Sequence, residues 1–166
     1  MLARGLGIAA VVVIFDQLSK TAILAFFGER VLGDPEPVTS FFNLALTYNR
    51  GISFGLLNGG AGLNALGFSL VAAAVVAVLI YWLSRAASPL LAVAIGLIVG
   101  GAVGNVIDRL RLGAVVDFLD FHYRGLHWPA FNLADSAICV GVGVMLFEGL
   151  LRREPQSVQA RQRRID

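Results

Sequence analysis

The chain has 166 residues, of which 57% are hydrophobic and 14% charged, and its formal net charge is +2. Soluble domains carry about 25% charged residues, so this composition, with a mean hydropathy of +0.78, excludes an ordinary water-soluble domain. The length leaves no room for a second folded domain, and the basic balance, concentrated in C-terminal arginines, speaks to membrane topology rather than to nucleic acid.

Four segments approach the roughly 20 apolar residues that a helix needs to cross a bilayer. The first runs from Leu6 to Phe27. Arg4 ahead of an apolar run resembles the start of a secretory signal, but Asp16, Gln17 and Lys20 interrupt the run and no small-residue cleavage site follows, so an uncleaved helix is expected. Asp16 and Lys20 lie four residues apart, a spacing at which they neutralise each other as an ion pair; the alternative is that they line a polar cavity.

Residues 28–62 then form a first extracytoplasmic segment. It opens with the turn-prone GDPEP and continues into VTSFFNLALTYNRGISFG, whose aromatic and β-branched content predicts short strands bent at Asn49, Arg50 and Gly51. On their residue types alone, Asn49 and Gly51 make a turn. The following FGLLNGGAGLN mixes apolar residues with glycine and suits a short helix lying in the membrane interface.

The second span, Leu63 to Trp82, and the third, Leu90 to Ile107, are joined by the short SRAAS connection. The third reads GLIVGGAVGNVID, which places Gly101, Gly104, Asn105 and Asp108 on one helical face. A small-residue packing seam explains the glycines, but Asn and Asp on that face must meet protein or water, because lipid cannot solvate them. Residues 109–131 form the second extracytoplasmic segment. Its VVDFLDFHYRGLHWPAF supplies aromatics for an interfacial belt and sets Asp117 in a strand-like context, as a turn former or an arginine partner. His122 and His127 lack the spacing of an HExxH zinc site and read as loop histidines, so no metal is expected.

The fourth span, Leu133 to Leu151, opens with FNLADSAI, where Asn132 and Asp135 are again one turn apart. Two helices thus bring an Asn and an Asp each to one membrane edge. Two facing carboxylates that share a proton can activate water and protonate a leaving group, which makes Asp108 and Asp135 the candidate catalytic pair. Ser136 and Cys139 have no histidine near them on the helix, and Cys139 reads as a small apolar filler. The polar, arginine-rich residues 152–166 make a cytoplasmic tail, expected to be disordered after Glu154. Arg4, Arg85, Arg152, Arg153, Arg161, Arg163 and Arg164 fall on one side against Arg30, Arg50, Arg109, Arg111 and Arg124 on the other, which places both termini in the cytoplasm.

The expected fold is therefore an α-helical polytopic membrane protein with four transmembrane helices, a small extracytoplasmic β-element and a short interfacial helix, built as one domain over residues 1–151. In FDQLSK, YNRGISFG, GNVIDRL followed by VVDF, and FNLADSAI, in that order and spacing, the chain resembles the lipoprotein signal peptidases (signal peptidase II), the intramembrane aspartic proteases of bacteria. The resemblance covers the chain to about Leu151. It implies a four-helix bundle with a β-cradle, and Asp108 and Asp135 as catalytic aspartates with Asn105, Arg109, Asn132 and Ala134 around them. Asp16, Lys20, Asn49, Gly51, Gly104 and Asp117 match positions that support the site or contact substrate. The implied activity removes the signal peptide from diacylglyceryl-modified prolipoproteins, cutting before the lipid-bearing cysteine. It requires no cofactor and occurs in the bacterial cytoplasmic (inner) membrane, in a monomer whose partners are those substrates and membrane lipids, with no nucleic acid. The competing expectation is a small proton- or ion-coupled transporter, which would distribute ionisable groups through the membrane instead of gathering them at one edge.

Overall fold

The computed structural model describes residues 1–28, 34–50 and 61–162. In chain order these form α1 (Leu2–Phe27), β1 (Glu36–Thr39), β2 (Phe42–Asn49), α2 (Ala61–Arg85), α3 (Pro89–Leu112), β3 (Val115–Tyr123), β4 (Leu126–His127) and α4 (Leu133–Gln162). Among the described residues four helices are long and apolar enough to cross a membrane, at the positions expected. Their ends follow local chemistry. Ser88 caps α3 through Oγ, which accepts from Leu90 N at 3.2 Å and Leu91 N at 3.3 Å, with Pro89 pre-set for the first turn. At the other end Gly113, at φ 71°, turns the chain out of the helix while its N–H bonds Arg109 O at 3.0 Å. That turn carries the chain straight from α3 into β3.

The strands form an antiparallel sheet in the order β1-β2-β3-β4. The β1–β2 hairpin closes at Ser40 and Phe41, and β2 ends at Asn49, which pairs with Val115; of the bend expected at Asn49, Arg50 and Gly51, the last lies outside the described residues. In the second extracytoplasmic segment β3 and β4 are strands, in keeping with the strand-like setting expected for Asp117, because VVDFLDFHY pairs with β2 and, at its end, with β4. Helix α4 also continues to Gln162, past the Glu154 boundary where a disordered tail was expected. Gly51 and residues 54–60 of the expected interfacial helix lie outside the described residues.

Helix α3 packs against each of the other three helices, and small residues allow it. A methyl added at Gly96 would lie 2.6 Å from Gly5 O of α1, and one at Gly100 would lie 2.8 Å from Ala9 O. On the α4 side, Gly101 abuts the Ala134 carbonyl, and a methyl at Gly141 would lie 2.8 Å from Ala94 O. These backbone-to-backbone approaches are how helices associate in lipid, where no hydrophobic force draws them together. The sheet sits on the end of α1, where Ile23 and Phe27 bury against Leu46 of β2 and Val116 and Phe118 of β3.

Candidate active site

The site lies where α1, α3 and α4 meet β3. Lys20 of α1 is its organising cation, with a side chain only 3% exposed. Its ammonium donates to Asp16 Oδ2 at 2.9 Å and to Asn105 Oδ1 at 3.1 Å, and it forms an ion pair with Asp108 Oδ2 at 2.8 Å. The ion pair expected between Asp16 and Lys20 is thus present, and it also ties α1 to α3. Gln17 reinforces it, since Nε2 donates to Asp16 Oδ2 at 3.1 Å and to Asp108 Oδ1 at 3.0 Å. Gly104 leaves room for this cluster, because a Cβ there would lie 2.5 Å from Asp16 Oδ2.

Each of these two carboxylates also grips a main-chain amide of another element. Asp16 Oδ1 accepts from Ala134 N of α4 at 3.0 Å, and Asp108 Oδ2 accepts from Val116 N of β3 at 3.1 Å. Asp108 therefore has both oxygens engaged, and its partners are a buried ammonium, an amide side chain and a backbone N–H.

Asp135 sits in the first turn of α4, in a reciprocal cap with Asn132. Asp135 N donates to Asn132 Oδ1 at 3.0 Å, and Asn132 N donates to Asp135 Oδ2 at 3.3 Å. Asn105 Nδ2 donates to Asp135 Oδ1 at 2.8 Å. The fully buried Asn132 turns its amide toward β3, where Nδ2 reaches Asp117 Oδ1 at 2.7 Å and Val116 O at 3.2 Å. Asn49 Nδ2 of β2 donates to the other Asp117 oxygen at 3.1 Å.

Asp117 is the carboxyl with unusual electrostatics. Burial, followed by the negative charge of Asp135, pushes it up from its ordinary 3.8 to about 6, against the hydrogen bonds of Asn49 and Asn132 and the charge of Lys20. Asp135→Asn removes the repulsion, so the Asp117 carboxyl in that variant is expected to titrate lower than in the unmodified protein. Carboxyl infrared bands followed against pH, assigned with Asp117→Asn, check this; an unmoved or raised titration would show that the two groups are not neighbours electrostatically. The sign for folding runs the other way from the usual carboxylate. The folded state holds the Asp117 proton more tightly, so this group's contribution to stability is complete below the ordinary 3.8 and is lost as pH rises through about 6.

Of the residues singled out in the sequence, Asp16, Lys20, Gly104, Asn105, Asp108, Asp117, Asn132, Ala134, Asp135 and Asn49 come together here; Gly51 lies outside the described residues. Arg109 lies at the rim, its guanidinium 5.6 Å from the centre of the Phe68 ring of α2, and its Nε is buried with no hydrogen-bond partner among the described residues. His122 and His127 are strand residues, not loop residues. They stack at 5.0 Å on the outer part of the sheet, where His127 Nδ1 lies 2.8 Å from Asp120 Oδ1 and Asn43 Nδ2 donates to Asp120 Oδ2 at 2.8 Å. Burial alone would raise the Asp120 carboxyl, but the bonds from Asn43 and His127 and the charges of both histidines outweigh it and hold it below the usual range. Two participants escaped sequence reasoning: the side-chain amide of Gln17 and the backbone N–H of Val116. A polar residue in an apolar helix was the available signal for the first, and no signal existed for the second.

A membrane-spanning bundle that gathers carboxylates under a sheet at one edge, two of them electrostatically coupled, defines a membrane-embedded hydrolase of the aspartic type. Comparison with known proteins narrows this. The family profile described as Signal peptidase (SPase) II matches residues 8–151, and the chain belongs to that family. It is similar to the lipoprotein signal peptidase of Burkholderia vietnamiensis, with 49% identity over 91% of this chain and 90% of that one. The lipoprotein signal peptidase of Paraburkholderia phymatum is 45% identical over the same shares. Among solved structures, a bacterial membrane enzyme determined by the in meso method at 1.9 Å resolution superposes with a TM-score of 0.76, at 34% identity, over 88% of this chain and 92% of that one. The chain is accordingly a bacterial membrane peptidase, and these findings lend no support to a transporter.

Proposed function

We propose that this peptidase cleaves diacylglyceryl-modified prolipoproteins just before the modified cysteine, and that Asp117 and Asp135 are the reacting pair. The observation that carries the assignment is the raised Asp117 carboxyl beside the charge of Asp135. Asp108, paired with Asp135 on spacing, is better suited to hold structure, since Lys20, Gln17 and Val116 N occupy its oxygens. In this mechanism Asp135 accepts a proton from a water held between the two carboxyls while Asp117 donates its proton to the scissile carbonyl oxygen; the gem-diol then collapses as Asp135 passes its proton to the leaving amine and Asp117 takes one back from a gem-diol hydroxyl, with no covalent intermediate. A carboxyl titrating at about 6 can lose and regain a proton within a turnover near neutral pH. Because the pair needs one proton, kcat/KM is expected to fall as pH rises through about 6 in the free enzyme. A profile that rises through that range would assign Asp117 to the base.

The arginine distribution supports a site on the extracytoplasmic edge of the inner membrane with both termini inside. Lipid on the substrate cysteine would fix the depth of the scissile bond, because its acyl chains bury methylenes at roughly 0.8 kcal/mol each. The deciding assay compares initial rates on matched prolipoproteins with and without the diacylglyceryl group, in one bilayer or detergent. The modified substrate is expected to be cut many times faster; equal rates would show that lipid does not set the register and would remove this substrate assignment.

A further inference from the structure

The geometry points to Gln17 as a positioning residue that, with Lys20, sets the separation of the two reacting carboxyls from outside the reaction. This rests on the pairing of Asp117 with Asp135 argued above. Each reacting aspartate follows immediately on a residue whose amide is gripped by a supporting carboxylate. Ala134, before Asp135, donates its N–H to Asp16 at 3.0 Å. Val116, before Asp117, donates its N–H to Asp108 at 3.1 Å. Beside the direct link that Asn132 makes between Asp135 and Asp117, the gap between α4 and β3 at the site is therefore tied to the gap between Asp16 and Asp108, which sit on different helices and repel one another.

Two bridges close that gap. Lys20 spans it at 2.9 and 2.8 Å, and Gln17 spans it with Nε2 at 3.1 Å from Asp16 and 3.0 Å from Asp108. The same Nε2 lies 3.3 Å from Gly104 O, while Gln17 Oε1 accepts from Arg111 Nη1 at 3.4 Å, which orients the amide so that its donors face the carboxylates. Lys20 supplies charge, and Gln17 supplies a second, directional tie on the more exposed side of the cluster. With Gln17 gone, like charges on Asp16 and Asp108 are held by Lys20 alone. The two gripped amides then move apart, and Asp135 moves away from Asp117.

Lys20→Met strands two buried carboxylates and is liable to misfold, so the informative variant is Gln17→Leu at a half-buried position, with Gln17→Met of equal chain length as its check. Purified protein in a bilayer, given diacylglyceryl-modified prolipoprotein, is expected to show kcat reduced about tenfold with KM unchanged, since small misplacements of reacting groups cost rate rather than binding. The Asp117 carboxyl is expected to titrate lower in both variants, because Asp135 repels it less. That shift separates positioning from a loss of stability, which would lower the yield of folded enzyme without moving the titration of what remains. Unmodified kcat and Asp117 titration in both variants would overturn the inference while leaving the catalytic pair in place, and so would a fall in kcat with the titration unmoved. If instead Asp117→Asn turns over normally, the pair itself falls, and that result is distinct from any outcome at Gln17.

Discussion

Asp117→Asn and Asp135→Asn are each expected to lower kcat/KM by about 10²- to 10⁴-fold, the usual worth of a positioned acid or base, while leaving the thermal unfolding midpoint in detergent nearly unchanged. Each change removes one proton-transfer group at almost constant volume. Asp108→Asn is expected to behave differently. It takes a carboxylate from an ammonium whose side chain is 3% exposed, and breaking such a buried pair costs on the order of 3 kcal/mol. Its main signature is a lower unfolding midpoint, with activity falling as β3 loosens at Val116. Measuring turnover and unfolding on the three purified variants separates these roles. A stable, inactive Asp108→Asn alongside an active Asp117→Asn would give the catalytic role back to Asp108.

Gly101→Ala and Gly104→Ala are expected to be the most disruptive single-methyl additions in the membrane. At Gly101 the new Cβ would meet the Ala134 carbonyl and lie 2.8 Å from Ile138 Cγ1. A backbone carbonyl in a packed helix cannot step aside, so α3 and α4 must separate, at a cost of roughly 1–3 kcal/mol or more. At Gly104 the clash falls on Asp16 Oδ2, which Lys20 and Gln17 already hold. There the damage passes directly into the active site, and activity should fall further than stability. Gly143, where an added Cβ meets nothing within 4 Å, supplies the matched control, and Gly143→Ala should unfold with the unmodified protein. Unfolding midpoints for the three variants decide the matter; equal midpoints would mean that the helices are free to shift.

Much of this architecture was legible because lipid imposes simple rules. Four apolar runs can only be helices, and the duplication of Asn and Asp at the ends of two of them pointed to side chains that the fold brings together. The pairing of carboxyls was harder to read. Helical spacing places Asp108 beside Asn105, and nothing in the order of residues says that Lys20, from a helix 85 residues earlier than Asn105, reaches both. Asp117 looked like a loop or strand residue with ordinary explanations, because its role depends on β3 folding back over the bundle beside β2, a long-range pairing that local pattern does not report. The Val116 amide could not be read at all, since a backbone N–H carries no residue-type signature, and Ala134 was named only through the family resemblance.

The central place of α3 divides the molecule unequally in its freedom to change. Among the described residues α2 touches α3 and, slightly, α1, but not α4, and it brings to the site only the Phe68 ring beside Arg109. Its outward side chains, Leu66, Leu70, Val71 and Val78 among them, are exposed and apolar. Such positions answer to the bilayer and not to the chemistry, so any side chain that lipid accepts will serve there. The second helix is thus the part whose length and bulk answer to the thickness and fluidity of the host membrane, while α1, α3, α4 and β3, which carry the aspartates, answer to one another.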